Sequence, residues 1–294
     1  MKTKPPTAAR RSAHRALTPL KYLVLLIIAA LFVAPLVFTI VASFKSEKQI
    51  FDDFASFWLA FVPYGTTTTN YDTVFNRIPF LRYFLNSSLI VVLTVIPGLL
   101  INSLGGFALA RLRLPGRKVL LGFVLLVIIA PFEAILIPLF LLTNQLPWFD
   151  GSTSWTNTLH VQIIPFVADA FSVFLFYQFF RTIPRELDEA IAVDGGSAWT
   201  VYRHIVIPLS RPVFVTAAIL HGFGLWSSYL WPQMVTRDEF SRPLTVGILN
   251  FYGGPLPEWG LILAYSVLAL IPVLILFFAA QRVFTESFAG TGIK

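Results

Sequence analysis

The 294-residue chain contains no cysteine, which excludes disulfides, thiolate metal sites and cysteine nucleophiles. Charged residues make up only 13% of it, against about 25% in ordinary soluble domains, and that scarcity excludes a water-soluble globular fold. No phosphate cradle of the form G-x-x-x-x-G-K-S/T, no H-E-x-x-H pair and no serine in a G-x-S-x-G elbow occurs, and His14, His160, His204 and His221 are scattered. The expectation is therefore no catalytic residue, no metal site and no cofactor bound by this chain. If ATP drives the protein, ATP and Mg must sit on a separate ATPase. The net charge of +7 does not indicate nucleic acid, because the basic residues gather beside apolar runs rather than along a polar face.

What is abundant is hydrophobic sequence, 56% of the residues. Its runs predict an all-α integral membrane protein with six transmembrane helices at about 22–42, 84–110, 119–142, 159–180, 213–234 and 259–281. The segments between them are too short for a second core, so residues 21–294 read as one transmembrane domain behind a basic, irregular tail at 1–20. Tyr22 to Ala42 carries no charge and is longer than a signal-peptide core, so it is expected to remain as the first span. Residues in FDDFASFWLAFVPYG suit an interfacial helix. Pro97-Gly98 is a candidate kink, and Gly106 with Ala110 a small-residue pair for close helix approach. Of the 22 Lys and Arg residues, 16 fall on one side of this topology, among them Arg111, Arg113, Arg117 and Lys118. The positive-inside rule then places both termini and the 181–212 loop in the cytoplasm of a multi-pass protein of the cell membrane.

That loop carries four acids and four bases between two spans. Pro184, the acids Glu186, Asp188 and Glu189, and the Gly195-Gly196 stop predict a short helix with Ile183, Leu187, Ala190 and Ile191 on one face and Arg185, Asp188 and Glu189 on the other. Ser197 is placed to cap a second helix in which Trp199, Tyr202 and Val206 align and which Ile207-Pro208 ends. Such a pair of helices is either a knob for a groove in another protein or a connector lying on lipid headgroups.

Glu133 and Asp169 fall within apolar runs, where a carboxylate needs a cavity, a hydrogen-bond donor or a helix end. Trp226, Ser227 and Tyr229 pair aromatic faces with hydroxyls, the combination a sugar ring requires. These five residues are the candidate substrate path, against satisfied polar contacts and an aromatic belt as the plainer readings. Trp231 is read as a belt residue, and His221 as a packed or interfacial one.

Glu189-Ala190, Gly195, Ile205 and Pro208 match the spacing E-A-A, three residues, G, nine residues, I-x-L-P, with Ile191 and Ile207 as departures. In this the chain resembles the membrane subunits of ATP-binding-cassette importers. NYDTVF, RYFLNSSLI, FALARLRLPGRK, LWSSYLWP and the closing AAQRVFTESFAGTGIK resemble the carbohydrate class, specifically the second permease of the maltose-permease type; Ser227 stands where that class often has Asn. The resemblance implies import of sugars, polyols or glycerol phosphate compounds. It also implies a second permease, two ATPase subunits and an extracytoplasmic substrate-binding protein as partners. ATPase coupling would then fall to Arg185, Glu186, Asp188, Glu189, Ala190, Asp194, Gly195, Trp199 and Pro208, in coupling helices between the fourth and fifth spans. Phe251, Tyr252, Gly253 and Gly254 would face the binding protein. An amino-acid or peptide importer, and a self-sufficient secondary transporter using Glu133 and Asp169, are the alternatives.

Overall fold

Long apolar stretches become long helices, and prolines decide where those helices break. The computed structural model describes residues 8–53, 56–254 and 256–291, so the first seven residues of the expected tail, Pro255 and Lys294 lie outside the described residues. No strand occurs among the described residues. The chain divides into two units, residues 1–77 with 251–268 and residues 78–250 with 269–294.

The first unit opens with α1, Ala8–Ser43. It begins upstream of the expected Tyr22, because Ala8, Ala9, Arg10, Arg11, Ala13 and Leu17 are good helix formers and no proline interrupts them before Pro19. Three short helices follow, α2 (Glu47–Asp53), α3 (Phe57–Ala60) and α4 (Thr69–Arg77), so the expected interfacial helix is divided. They are tied by polar side chains: Asn70 Nδ2 donates to the Ser43 and Lys45 carbonyls, each at 2.8 Å. The Lys45 ammonium is buried and donates to Asp53 at 2.9 Å and to the Leu59 carbonyl at 2.7 Å.

The second unit is built on α5, Phe80–Arg111, which continues through Pro97. Then come α6 (Arg117–Ile129), α7 (Phe132–Thr143), α8 (His160–Ile163) and α9 (Ala170–Phe180). The expected third span is α6 and α7, bent by 99°. Pro131 lacks an amide donor and pushes Ala130 to an extended ψ of 127°, which ends α6. The fourth is also interrupted: a 3-10 turn at Ile164–Phe166 precedes a new start capped by Asp169.

Beyond the 181–212 stretch lie α10 (Glu186–Val193), α11 (Ala198–Leu209), α12 (Arg211–Trp226), α13 (Leu230–Val235) and α14 (Leu244–Gly247). The expected fifth span thus stops at Trp226 and resumes at Leu230, with Pro232 in the first turn of the new helix, where its missing amide is tolerated. The last helix, α15 (Trp259–Thr291), starts in the first unit and ends in the second.

Among the described residues four helical stretches are long and apolar enough to cross a bilayer, or up to six if each bent pair is one span. In the second unit α5 and α9 meet closely because of Gly106: a Cβ there would lie 2.6 Å from the Phe176 Cβ. The small-residue pair expected to admit a neighbour therefore does so, with Ala110 also buried. Around that seam Phe107, Phe176, Phe180, Tyr202, Val206 and Val213 form the core.

Candidate functional site: an elbow and a cavity in the second unit

The elbow at 181–212 is shaped by its own sequence. Glu186, Asp188 and Glu189 occupy the first turn of α10, where the partial positive charge of the helix end favours carboxylates. Asp194 ends the helix, and Gly195 takes φ = +75°, the left-handed conformation that closes a helix most cheaply with glycine. Gly196 is needed for a different reason. Its amide donates to the Ile191 carbonyl at 2.8 Å, and a Cβ would stand 2.4 Å from the Ile191 Cγ2. Ser197 then caps α11 in a reciprocal box with Thr200.

The second helix of the elbow runs further than expected. It widens to π geometry over Tyr202–Val206 and continues past Pro208 to Leu209 before the chain bends by 77° into α12. Pro208 lies in the first turn of a short segment after the π stretch, where no amide is missed. Tyr202 anchors the elbow: it is buried, its hydroxyl shares a hydrogen bond with Ser103 Oγ at 2.7 Å, and its ring lies 5.2 Å from that of Phe107.

A second anchor corrects the expected helix faces. Asp188 does not stand outward with Arg185 and Glu189; it meets Arg111 at 3.0 Å, and Arg111 also donates to the Ile183 carbonyl at 2.7 Å. Only 3% of the Arg111 side chain is exposed. A buried guanidinium requires a carboxylate more than a two-turn helix requires one extra apolar contact, so α10 is rolled toward Arg111. Ile183 is buried and Ile191 partly buried, while Leu187 and Ala190 are exposed. Arg185, Glu186, Glu189, Ala190, Asp194, Gly195, Trp199 and Pro208 all remain on the exposed surface. Beside the polar groups stand apolar ones, with Val193 87% and Trp199 56% exposed.

The cavity, of about 440 Å³, lies elsewhere in the same unit. Its aromatic wall is Phe132, Phe166 and Trp231, with centroid separations of 5.9 Å between Phe132 and Phe166 and 5.9 Å between Phe166 and Trp231. Trp231, expected at the headgroups, is instead 1% exposed and donates from Nε1 to the Val161 carbonyl at 3.0 Å. The polar residues lining the cavity are Ser87, Gln162, Asp169, His221 and Ser228.

Asp169 is here because the fourth span breaks. It caps α9, accepting from the Ser172 amide at 2.8 Å. Asn102 holds the break open by donating to the Val167 carbonyl at 3.1 Å and accepting from the Asp169 amide at 3.0 Å. Asn102 and Gln162 were not singled out from the sequence; each is a lone amide in an apolar run, and that was the available signal.

The other expected path residues do not join Asp169. Glu133 is exposed in the first turn of α7. Trp226 donates to the Ala269 carbonyl at 3.2 Å and borders a separate apolar pocket of about 220 Å³ beside Ser88 and Pro272. Ser227 ends α12 with its hydroxyl on the Phe223 carbonyl at 2.8 Å, a bond its own backbone turn supplies. Tyr229 sits at the start of α13. Of this stretch it is Gly224, Leu225 and Ser228, not Trp226, Ser227 or Tyr229, that line the cavity.

In the first unit, Phe251 is fully buried against Tyr265 at a centroid distance of 5.7 Å, so it belongs to the packing and not to an exposed face. Tyr252, Gly253 and Gly254 are exposed. Arg77 and Glu258 pair nearby at 2.6 Å.

Helices that can span a bilayer, an exposed elbow between two of them and a cavity within the apolar helices define a membrane transport component. Residues 101–289 match the family described as binding-protein-dependent transport system inner membrane component. The chain belongs to that family.

Among its relatives, the arabinooligosaccharides transport system permease AraQ of Halalkalibacterium halodurans is 32% identical over 91% of this chain and 93% of the relative. The lactose transport system permease LacG of Rhizobium radiobacter is 28% identical over 92% and 94%. The trehalose/maltose permease MalG of Thermococcus litoralis is 28% identical over 92% and 96%. A solved structure of a bacterial ABC transporter involved in import of the acidic polysaccharide alginate superposes with a TM-score of 0.77, covering 95% of this chain and 99% of that one at 20% identity. It supports the fold.

Proposed function

We propose that the chain is one of two membrane permeases in an ATP-driven importer of carbohydrates, and that the elbow transmits the motion of a separate ATPase to the helices. The observation that carries the coupling role is the elbow's surface. Exposed carboxylates Glu186 and Glu189 stand with exposed Val193 and Trp199 around a glycine bend, while Tyr202 and Arg111 root the same segment in the core. A rigid root with a mixed polar and apolar tip fits a protein groove better than a lipid surface, because the exposed Glu186, Glu189 and Asp194 would face anionic headgroups.

The carbohydrate class rests on relatives named for arabinooligosaccharide, lactose and trehalose/maltose transport that align over almost their whole lengths. In this reading six spans place both termini and the elbow in the cytoplasm, in keeping with 16 of 22 Lys and Arg on that side. Two ATPase subunits hold ATP and Mg. Tyr252 to Gly254 face a substrate-binding protein on the other side.

Co-expression with a candidate ATPase, second permease and binding protein, followed by detergent purification and ATP-dependent uptake of labelled arabinooligosaccharide, lactose or maltose into proteoliposomes, tests this. Co-purification with ATP-dependent uptake is the expected result. Uptake driven by an ion gradient in the absence of ATPase would overturn it.

A further inference from the structure

We infer that the pocket between the α5–α6 turn and the start of the elbow binds the phosphate of an acidic phospholipid, through the guanidinium groups of Arg113, Arg117 and Arg185. Arg185, which the sequence resemblance assigned to ATPase coupling, becomes a lipid contact, and the imported substrate does not enter the assignment.

The turn gathers its own cations. Gly116 takes φ = +73°, which folds the chain back so that the Arg117 amide donates to the Leu114 carbonyl at 3.3 Å. Arg111, Arg113 and Arg117 line one open pocket of about 380 Å³, and Arg185 joins them from the distant start of the elbow. No acidic residue lines it. Arg111 is enclosed and already paired with Asp188, so it offers a ligand neither surface nor net charge.

The other three do offer both. Arg113 and Arg185 are exposed, while Arg117 is half-buried with its guanidinium 5.6 Å from the centre of the Tyr177 ring. Among the described residues none of the three has a carboxylate within 4.0 Å. Glu186 and Glu189, the other acids of α10, point their charge elsewhere: both are exposed and neither lines the pocket. Three like charges around one concavity repel, and the apolar Leu112, Leu114 and Pro115 beside them reduce the screening. A bound anion removes that repulsion, and guanidinium forks match phosphate oxygens.

The neighbouring helix identifies the source of the phosphate. The pocket adjoins the first turn of α6, which holds Arg117 and Lys118, no acid and no capping side chain, so the positive helix end adds to the same sign. From there α6 continues as an apolar helix with no buried residue: Leu121 and Val124 lean on the core, while Leu120, Phe123 and Val127 face outward. A lipid with its headgroup in the pocket lays its acyl chains along that outward face. A zwitterionic headgroup would bring its own ammonium among the arginines, so the site selects net anionic lipid. A topology signal needs basic residues near the membrane, but neither a concavity nor an arginine from the elbow.

Native mass spectrometry of the full-length chain in detergent, titrated with phosphatidylglycerol, phosphatidylcholine or inorganic phosphate, tests the site. One phosphatidylglycerol should be retained at concentrations where phosphatidylcholine is not. Each Lys or Arg contributes about fivefold to affinity for an acidic lipid. Arg185→Gln should therefore weaken phosphatidylglycerol binding about fivefold, and Arg113→Gln with Arg185→Gln roughly thirtyfold. Arg203→Gln with Arg211→Gln, an equal loss of charge at exposed positions outside the pocket, should leave it unchanged.

Without lipid, the Arg113→Gln, Arg185→Gln chain should melt no lower than the unaltered chain, and only the unaltered chain should gain stability from phosphatidylglycerol. Equal retention of the two lipids, or equal weakening in both double variants, would overturn the site. Displacement of phosphatidylglycerol by inorganic phosphate would give the pocket to a free anion, and displacement by added ATPase subunit would give it to an acidic segment of that protein; either result overturns the lipid assignment.

Discussion

Arg111, at the end of α5, and Asp188, in the first turn of α10, meet at 3.0 Å with the guanidinium almost wholly enclosed. The pair fastens the exposed elbow to the longest helix of its unit, so that a force applied to α10 reaches α5 through an ion pair as well as through the chain. Removing one partner leaves a buried charge uncompensated. Asp188→Ala should therefore destabilise the unit by about 3 kcal/mol, the low end for a broken buried pair because Asp188 keeps a quarter of its surface. Arg111→Met combined with Asp188→Leu should recover most of that loss. Thermal unfolding of the detergent-solubilised chain followed by tryptophan fluorescence checks both, and additive losses in the double variant would contradict the pairing.

The two elbow glycines should respond differently. Gly195→Asn keeps a residue that tolerates positive φ, and uptake should fall less than twofold. Gly195→Val forces a β-branched side chain into a left-handed conformation, at a cost of about 1–2 kcal/mol or more. Gly196→Ala collides with Ile191 whatever its φ, so it should impair uptake more than Gly195→Asn. Uptake rates in proteoliposomes, normalised to the amount of assembled complex, give the ranking.

Close approach at the α5–α9 seam makes a separate prediction. Gly106→Val brings a branched side chain against Phe176 Cβ, where even a single Cβ lies at 2.6 Å. Over-packing of this kind costs about 1–3 kcal/mol. The lowered melting temperature should be partly restored by Phe176→Leu, and no rescue would place the strain elsewhere.

In the first unit, hydrogen bonding by the Tyr64 hydroxyl, with the Lys45 ammonium beside it, holds the Asp53 carboxyl below its ordinary 3.8. A depressed folded value means that the unfolded chain takes up the proton more readily. The stabilisation is therefore complete above the ordinary carboxylate range and is lost as pH falls through the folded value. Tyr64 is shifted the opposite way, above 10.0, chiefly by its bond to Asp53, so its contribution is present at neutral pH and lost as pH rises through that higher value. Hydrogen exchange over residues 47–53 and 57–60 should stay slow from pH 7 to pH 4 and quicken below it. In Asp53→Asn the acid step should be missing.

The all-helical class was legible because uncharged runs such as Tyr22 to Ala42 leave no other fold for a chain with so little charge. Their breaks were less so. Pro131 and Pro232 interrupt helices while Pro97 does not, and what separates them is packing: α5 runs on past Pro97 with Gly98 set against the Val167 carbonyl. The elbow's outline followed from Pro184, the acids and Gly195, since capping and left-handed turns are local. Its roll did not, because the need of Arg111 for a carboxylate arises from a residue 77 positions away.

The candidate path residues are likewise not brought together: Trp226, Ser227 and Tyr229 are neighbours in sequence and none lines the cavity, whereas Asp169, Gln162, His221 and Trp231 converge there from four helical segments. Lone polar residues in apolar runs, such as Asn102 and Gln162, carry as much information as the aromatic cluster. Phe251, placed with exposed loop residues by sequence proximity, is instead held inside by Tyr265.

The coupling role of the elbow is tested most directly by cross-linking. In the cysteine-free chain, Val193→Cys and Trp199→Cys place single thiols at exposed positions on either side of the glycine bend. Each is treated with a short bifunctional maleimide in membranes containing the complete transporter. A cross-link to the ATPase subunit from both positions, with a yield that changes when ATP is added, is the predicted result. Modification of either thiol by an impermeant reagent applied from outside intact cells, or no ATPase cross-link with or without nucleotide, would contradict the account.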